Sequence, residues 1–221
     1  MELRRIVIAG TTGFSVMIKR LIEKDNAFKV IGFTTQKNFI KDNIIDGCPV
    51  YPEEELHSIL NNEEGILNTL GYSRMNTIRE KVHIKYENEG FDIVSYISPK
   101  ANVYTNRIEK GSLILPGAFI GPDVVIGKSC IIYSNVQLTH HINIEDFCFL
   151  AANSTVGGNT TIKNNSFIGM NSTIKNKITL ASYTLVGCGS NIVNDVTEPY
   201  QVLVGNPAKC LNNKNSMETI I

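Results

Sequence analysis

The chain has 221 residues, 43% of them hydrophobic and 19% charged, which is enough for one or two domains with a sizeable core. Lysine plus arginine and aspartate plus glutamate number 21 each, so the zero net charge argues against a general nucleic-acid or anionic-membrane binder. The N-terminus lacks the apolar region of a signal peptide, and no hydrophobic run approaches the length of a transmembrane helix. We therefore expect a cytoplasmic protein with no membrane or nucleic-acid partner.

The first 97 residues alternate between strand and helix patterns. Strands are predicted at residues 6–9, 29–34, 65–70 and 92–97, with a further short strand at Val50, and helices at residues 14–23, 52–60 and 74–88. Such alternation is typical of a small doubly wound parallel sheet. Residues 1–97 are therefore expected to form a Rossmann-like α/β domain.

A glycine-containing turn joins the first predicted strand to the first predicted helix. The turn and the start of the helix comprise Gly10, Thr11, Thr12, Gly13, Phe14 and Ser15. Backbone N–H groups at such a turn favour phosphate, although a plain tight βα turn is the alternative. The second strand ends at Thr34 and Thr35, without the acidic residue that binds an adenosine ribose. This difference argues against a dinucleotide cofactor and favours a nucleotide carried by a substrate.

The second half of the chain repeats with a period of six residues. Every sixth residue from Ile108 to Ile192 is Ile, Leu or Val, and a small or β-branched residue follows each of these anchors by four positions. This period predicts a parallel β-helix in which three hexads close one coil and both tracks point inward. A β-sandwich does not fit, because its turns are irregularly spaced. Asn and Gly fill many of the remaining positions and suit the left-handed backbone of tight corners.

The chain has five cysteines, and none shows the spacing of a metal or redox motif. Cys130 and Cys148 lie one predicted coil apart on the inward track. We expect them to be adjacent reduced thiols in the core of a cytoplasmic protein.

Histidines mark a candidate site at one corner of the repeat. His57 and His83 are expected at the surface of the N-terminal domain, whereas His140 and His141 occupy a predicted corner. Because a coil takes about eighteen residues, we expect Gly158 to stack on His140 at roughly 4.8 Å. An imidazole beside a backbone N–H donor suits a general base next to an oxyanion site. A pair of solvated turn histidines is the alternative.

Together these features resemble a known group of enzymes. The glycine turn in an α/β domain, the hexads, the corner histidine and the closing Val204-Gly205-Asn206-Pro207-Ala208-Lys209 are similar to bacterial nucleotide-sugar acyltransferases of the hexapeptide-repeat left-handed β-helix superfamily. That group includes UDP-4-amino-sugar and perosamine N-acetyltransferases and sialic acid O-acetyltransferases. The resemblance extends from Ile6 to Lys209. It implies a nucleotide-sugar-binding domain over residues 1–97 and a left-handed β-helix acyltransferase domain with a C-terminal tail over residues 98–221.

The resemblance also implies an activity and an assembly. The expected reaction transfers an acetyl group from acetyl-CoA, without a metal, to the amine of a nucleotide-linked amino-deoxy sugar. Such a product serves bacterial surface glycans such as lipopolysaccharide O-antigen or capsule, and the expected enzyme is a homotrimer with active sites between neighbouring β-helices. Three alternatives stay open: O-acetylation of a sugar hydroxyl such as that of sialic acid, a catalytically decayed nucleotide-binding scaffold, and a β-helical zinc enzyme. The last requires three histidine ligands, but the coils supply only His140 and His141.

Residue roles follow from the resemblance by position. His140 matches the general base, with His141 beside it, and the amide of Gly158 matches the donor that faces the thioester. Acetyl-CoA is expected to contact Gly158, Met170, Gly187, Gly189, Pro207 and Ala208. The sugar nucleotide is expected at Gly10, Thr11, Thr12, Gly13, Phe14, Ser15, Thr34 and Thr35.

The sequence departs from the family pattern at three places. His141 replaces the acidic residue that usually orients the base, and Thr34 and Thr35 replace an aspartate that reads the nucleotide base. Phe149 replaces a second histidine that some relatives have near the thioester. The partner of the base and the identity of the nucleotide are therefore left open by the sequence.

Overall fold

The computed structural model describes residues 2–219, which form an N-terminal α/β unit followed by coils of short parallel strands. The unit contains strands β1 (Arg5–Ala9), β2 (Lys29–Thr35), β3 (Ile44–Ile45), β4 (Cys48–Pro52) and β5 (Gly65–Asn68), with helices α1 (Gly13–Lys24), α2 (Leu56–Ile59) and α3 (Thr77–Asn88) and 3₁₀ turns at Lys37–Phe39 and Glu53–Glu55. The sheet order is β3-β4-β2-β1-β5. Every pair is parallel except β3 with β4.

The apolar side chains of β1 alternate between the two faces of this sheet, and both faces are covered by helices. Ile6 and Ile8 pack with Ile18 of α1, whereas Val7 and Ala9 pack in a separate cluster with residues of α2 and α3. Successive side chains of a strand point to opposite faces, so an apolar run of this kind requires helices on both sides. Helices therefore lie on both sides of this sheet.

The last strand predicted for the unit, residues 92–97, is divided between two sheets. Ile93 bridges to Ile66 of β5, but Tyr96–Ile97 pairs with Leu113–Ile114 in the coils. The coil pairing thus begins at Tyr96, two residues before the predicted domain boundary.

The coils have three faces. Face A contains Tyr96–Ile97, Leu113–Ile114, Ile131–Ile132, Phe149–Leu150, Phe167–Ile168, Leu185–Val186 and the hairpin Val202–Gly205 with Ala208–Cys210. Face B contains Asn102–Val103, Phe119–Ile120, Gln137–Leu138, Thr155–Val156, Thr173–Ile174 and Asn191–Ile192. Face C contains Val125–Ile126, Asn143–Ile144, Thr161–Ile162 and Thr179–Leu180. A final 3₁₀ turn at Ser216–Glu218 follows the hairpin.

The register confirms the repeat. Ile132 pairs with Leu150 and Leu150 with Ile168, so three hexads close one coil, an arrangement consistent with the left-handed β-helix of the resemblance. The anchors from Ile114 to Ile192 are at most 1% exposed, and only Ile108 at the start is partly buried. The axis of the coil is therefore a continuous apolar core.

The second inward track is buried as well, and most of its hydroxyl and thiol groups bond to backbone, whereas Ser154 Oγ has no partner within the described residues. Ser112 Oγ donates to the Gly127 carbonyl at 3.0 Å, and Thr160 Oγ1 donates to the Lys175 carbonyl at 3.3 Å. Small hydroxyl groups fit this track because most of them reach a backbone carbonyl, either in the next coil or, as with Ser172 and Thr184, three residues back in the same coil. Cys130 and Cys148 belong to the same track and are buried free thiols, as predicted.

One residue per hexad adopts the left-handed backbone. The non-glycine residues at these corners are Asp123, Ser129, Asn135, His141, Phe147, Asn153, Asn159, Asn165, Asn171, Lys177 and Tyr183. Asn is frequent there because its side chain tolerates the left-handed region, but the coil imposes the same backbone on a lysine and a phenylalanine.

The α/β unit covers face A. The outward residues of that face, including Leu113, Ile131 and Phe167, share one apolar cluster with Ile8 and Ile18 of the unit. No helix within residues 2–219 combines the length and the apolar character needed to cross a membrane.

Side chains at the start of α3 bind successive coil corners along the edge between faces C and A. Arg79 is fully buried and donates to the carbonyl oxygens of Ser129 at 2.9 Å and Phe147 at 2.7 Å. Asn76 Nδ2 donates to the carbonyl oxygen of Asn165 at 3.1 Å. The corner carbonyls of three coils are thus hydrogen-bonded by one turn of helix.

Candidate active site

His140 and His141 lie on edge BC, between the face-B strand Gln137–Leu138 and the face-C strand Asn143–Ile144. The backbone of the neighbouring coils holds this corner. The His141 N–H donates to the Pro122 carbonyl at 3.0 Å, and the His140 carbonyl accepts from the Asn159 N–H at 3.2 Å. The corner is therefore fixed from both sides before any side chain contributes.

The imidazole of His140 lies directly over Gly158. A Cβ added to Gly158 would be 2.6 Å from His140 Nε2 and 2.8 Å from Nδ1, which is closer than real Cβ contacts. Only glycine leaves room for the ring, so the stacking expected from the repeat is present in the structure. The role of either residue in a reaction stays a prediction.

The backbone N–H of Gly158 has no hydrogen-bond acceptor among residues 2–219, although Gly158 is buried. At the corresponding position of another corner, the Lys128 N–H donates to Asp146 Oδ1 at 2.8 Å. The equivalent N–H groups of Ser134, His140 and Ala152 also lack an acceptor among the described residues, so the open donor is a general feature of these corners. At Gly158 it lies beside the His140 ring, and an open N–H can bind a ligand oxygen. The site thus pairs a ring nitrogen with an unused N–H.

His140 also contacts its neighbour in the chain. Its Nδ1 is 3.1 Å from His141 Nδ1, and His141 Nε2 is 3.4 Å from Oδ2 of Asp123 in the preceding coil. The side chains of His141 and Asp123 are 60% and 63% exposed. The residue after His140, expected from the resemblance to be acidic, is a histidine with the Asp123 carboxylate beside it.

A cavity of about 260 Å³ lies in the α/β unit, at the ends of β1 and β2. Its lining includes Gly10, Thr11, Thr12, Thr34 and Thr35 from the predicted set, together with Ala9, Gln36, Phe39, Glu53, Leu70, Ile78, Val82 and Tyr86. α1 begins here, its cap residue Thr12 makes no side-chain cap, and its first turn has no acidic residue. The open N–H groups of such a helix end favour an anion.

The other three predicted substrate residues lie outside this cavity. Gly13, Phe14 and Ser15 are not part of the cavity lining. The Phe14 ring stacks on Tyr133 of the coils with centroids 5.9 Å apart, and Ser15 Oγ accepts from Thr69 Oγ1 at 2.8 Å. Phe14 and Ser15 support the turn from behind.

Glu53 is the cavity residue that the sequence did not identify. It follows β4, the strand beside β2, and its carboxylate is buried. Lys85 Nζ donates to Glu53 Oε1 at 2.7 Å, and the Tyr86 hydroxyl donates to Oε2 at 3.3 Å. Burial, followed by the charge of Glu53, raises the pKa of Tyr86. Three consecutive glutamates appeared to be an ordinary helix start, because only the pairing of β4 with β2 brings Glu53 into the cavity.

His83 is also buried, and its prediction as a surface residue was wrong. It is 0% exposed, lies against Gly111 and Phe147, and neither ring nitrogen has a hydrogen-bond partner within the described residues. Burial lowers the pKa of His83 to about 4. His57 is exposed as expected and stacks on Phe91.

A second, apolar cavity of about 310 Å³ opens at edge AB, the corner between the strands of face A and those of face B. It is lined by Tyr72, Tyr133, Phe149, Ala151, Ala152, Phe167, Met170 and Cys188. Phe149, which replaces a histidine of some relatives, packs here against Tyr72 and Phe167. Met170 therefore lines a cavity, and its contact with a cofactor stays a prediction.

The remaining predicted cofactor residues lie near the end of the same edge. Gly187 and Gly189 follow the face-A strand Leu185–Val186, and Pro207 and Ala208 belong to the terminal hairpin. The Gly205 N–H donates to Ser190 Oγ at 3.1 Å, which holds the hairpin to the last coil.

The three predicted sets of residues do not meet within one chain. In the three-faced coil, edge BC with His140 is opposite face A, which the α/β unit covers. Gly158 shares edge BC, whereas Met170, Gly187 and Gly189 are on edge AB, across the width of face B. Among residues 2–219 no group of three or more His, Cys, Asp or Glu side chains has the arrangement of a metal site.

Solved structures share this fold over nearly the whole chain. The acetyltransferase domain of PglB from Neisseria gonorrhoeae matches with a TM-score of 0.84 and 23% identity, covering 94% of this chain and 100% of that one. A mutant of perosamine N-acetyltransferase from Caulobacter crescentus, in complex with CoA and GDP-perosamine, matches with a TM-score of 0.84 and 21% identity, covering 94% and 97%. WeeI from Acinetobacter baumannii matches with a TM-score of 0.82 and 21% identity, covering 94% and 100%.

Identities this low establish a shared fold. No curated protein sequence is similar to the chain. A family model, described as the GMPPB C-terminal domain, matches residues 101–221, which is more than half of the chain and includes all but the first strand of the coils. The protein therefore belongs to the GMPPB C-terminal domain family.

Proposed function

We propose that the protein is an acetyl-CoA-dependent N-acetyltransferase that acts on the amine of a nucleotide-linked amino-deoxy sugar. The observation that carries the proposal is the His140 imidazole over Gly158, beside an N–H without an acceptor. Acyl transfer from a thioester to an amine requires a general base and an oxyanion donor, and this corner supplies both. The similar perosamine N-acetyltransferase binds CoA and GDP-perosamine in its structure, which supports the same pair of ligands here.

The proposed reaction proceeds by direct transfer. The amine nitrogen attacks the thioester carbonyl as His140 Nε2 takes a proton from that nitrogen, and the Gly158 N–H donates to the oxyanion. Collapse of the tetrahedral intermediate breaks the C–S bond, and the CoA thiolate takes the proton back from His140. A thioester is already activated, so a covalent enzyme intermediate is unnecessary.

We place the sugar nucleotide in the 260 Å³ cavity of the Rossmann-like unit. Its phosphates meet the N-terminus of α1 at Thr11 and Thr12, where the helix dipole favours negative charge. The Glu53 carboxylate in the same cavity accepts hydrogen bonds from N–H or hydroxyl donors of the nucleoside. The acid that β2 lacks is thus supplied by the adjacent strand.

We further propose a homotrimer of left-handed coils in which each active site is shared between two copies. The separation of edge BC from edge AB and from the nucleotide cavity supports this assembly, because one chain cannot bring them together. Met170 is 52% exposed on edge AB, where a neighbouring copy of the chain can cover it. Closed cyclic symmetry then gives equivalent sites that pair edge BC of one copy with edge AB of the next.

The buried free thiols of Cys130 and Cys148 support a reducing, cytoplasmic location. There the product, an N-acetylated nucleotide sugar, would serve the assembly of bacterial surface glycans.

A thiol-release assay tests the reaction. Purified protein is mixed with acetyl-CoA and a panel of UDP-, dTDP- and GDP-linked amino sugars, with free sialic acid as a hydroxyl acceptor. We expect release with an amino sugar and a loss of roughly 10²- to 10⁴-fold in His140→Ala, with an unchanged melting temperature. Full activity in His140→Ala contradicts the proposal, release with sialic acid alone indicates an O-acetyltransferase, and absence of CoA binding indicates a decayed scaffold.

Mixing two inactive variants tests the shared site. Thr11→Glu places a negative charge against the phosphates while suiting the helix N-terminus, and Thr11→Gln is its uncharged control. After joint refolding of Thr11→Glu with His140→Ala, random assembly restores roughly a quarter of wild-type activity if each site uses two copies. No recovery means that one chain contains the whole site.

A further inference from the structure

His141 and Asp123 lie in series beside His140 and take no direct part in the acetyl transfer. We infer that His141 and Asp123 are positioning residues that determine which nitrogen of His140 is available as the base. This inference rests on the proposed function, since it assigns roles toward the same general base. The acidic neighbour of the relatives is replaced here by a histidine and a carboxylate in series.

The repeat itself brings the two residues together. Asp123 and His141 occupy the same corner position in successive coils, with φ of 58° and 52°. The His141 N–H donates to the Pro122 carbonyl at 3.0 Å, and this hydrogen bond holds the two corners one above the other. Their side chains therefore stack, with Asp123 Oδ2 3.4 Å from His141 Nε2.

The carboxylate determines the tautomer of each ring. An ionised carboxylate only accepts hydrogen bonds, so it favours His141 with its proton on Nε2 and a lone pair on Nδ1. That lone pair, 3.1 Å from His140 Nδ1, then accepts the Nδ1–H of His140. His140 is left with its lone pair on Nε2, the nitrogen beside Gly158.

The opposite arrangement is disfavoured at both contacts. If His141 held its proton on Nδ1, its Nε2 lone pair would face the Asp123 carboxylate. His140 would then accept on Nδ1 and hold its proton on Nε2, where it cannot take one from the acceptor amine. Asp123 thus acts on His140 through His141, since which nitrogen donates is set by what the other nitrogen contacts.

The first variant is Asp123→Asn, with Asp146→Asn as a matched control. Asp146 is also a corner aspartate of the coil, but its Oδ1 accepts from the backbone of Lys128. We expect Asp123→Asn to lower kcat roughly two- to fivefold, the range of an exposed polar pair, with KM for both substrates unchanged. Asp146→Asn should leave kcat unchanged. An unchanged kcat in Asp123→Asn overturns the inference.

Repeating Asp123→Asn in a His141→Asp variant distinguishes a positioning role of Asp123 from a merely structural one. In His141→Asp a carboxylate oxygen bonded to Cγ takes the place of Nδ1, and aspartate tolerates the left-handed backbone of this corner. A direct carboxylate partner makes Asp123 unnecessary, so Asp123→Asn should have no effect on kcat in this background. An equal loss in both backgrounds shows that Asp123 supports the fold alone.

A readout without substrate distinguishes this inference from the proposed function. The chain has 4 histidines, so long-range ¹H–¹⁵N spectra can be assigned with single substitutions. We expect the proton on Nδ1 of His140 and on Nε2 of His141, with mixed tautomers in Asp123→Asn. If the expected tautomers are observed but no acetyl transfer occurs, the proposed function is refuted and the inference stands. If acetyl transfer occurs but the tautomers are the same in Asp123→Asn as in the wild type, the inference alone is refuted.

Discussion

The coils and the α/β unit solve the problem of buried polarity in different ways. In the coils, buried hydroxyl and thiol groups recur with the six-residue period and bond to the carbonyl of the next coil. In the unit and at its joint with the coils, single charged or titratable side chains are buried, among them Arg79, His83 and Glu53. A repeat distributes its stability over many similar layers, whereas a joint of this kind depends on individual residues. Single substitutions should therefore cost more stability at the joint than in the coils.

Arg79 is where this contrast is largest. Its guanidinium donates to carbonyl oxygens of the coils at Ser129, Phe147 and Cys148 and of the unit at Gly71. Burial lowers the pKa of Arg79 to about 10, which still leaves it charged at neutral pH. The planar fork of arginine matches several carbonyls at once, and no other side chain can replace it.

Arg79→Met should give the largest loss of stability. The substitution leaves several buried carbonyl oxygens without donors, so we expect the free energy of unfolding to fall by about 3–5 kcal/mol. Urea unfolding monitored by circular dichroism measures this change. Arg20→Met is the control, because Arg20 is 69% exposed and its bond to Asp46 is a surface ion pair, which contributes little to stability. Equal losses for the two variants would contradict a joint that depends on Arg79.

His83 predicts that the stability of the protein depends on pH. Its pKa is about 4 in the folded protein because of burial, against an ordinary value of 6.5. The unfolded chain therefore binds the proton more readily between these values, so the stability is complete above pH 6.5 and is lost as the pH falls toward 4. Between pH 7 and pH 5 the loss amounts to about 2 kcal/mol.

His83→Phe removes both unpartnered nitrogens while keeping an aromatic ring against Phe147. We expect the variant to flatten the pH dependence of unfolding between pH 7 and pH 5, measured by urea titration at each pH. His57→Phe replaces an exposed histidine of the same unit and should leave the dependence as in the wild type. If the two variants behave alike, the buried ring is not the cause.

The predictability of the site follows the same contrast. A strict period determines which residues stack, so His140 over Gly158 could be inferred from the sequence alone, as could the inward tracks. Asp123 is also in register with His141, but the significance of that pair depends on the distances between three side chains. Glu53, Arg79 and His83 could not be found, because their burial results from strand order and helix docking. The division of the predicted sets among edge AB, edge BC and the α/β unit required the order of the faces.

The smallest effect concerns a coil corner and tests the regular region. Lys177 is exposed at a corner with φ of 61°, and its N–H donates to the Gly158 carbonyl at 2.9 Å. Lys177→Gly relieves the left-handed strain and keeps this bond, so stability should rise by about 0.5–1 kcal/mol. Lys175→Gly, in the same coil but at a position without a left-handed backbone, should instead lose about 0.5–1 kcal/mol, because glycine there only adds entropy to the unfolded chain. Opposite signs two residues apart would show that the backbone period governs the coils, whereas a loss in both would mean that the Lys177 side chain stabilises its corner.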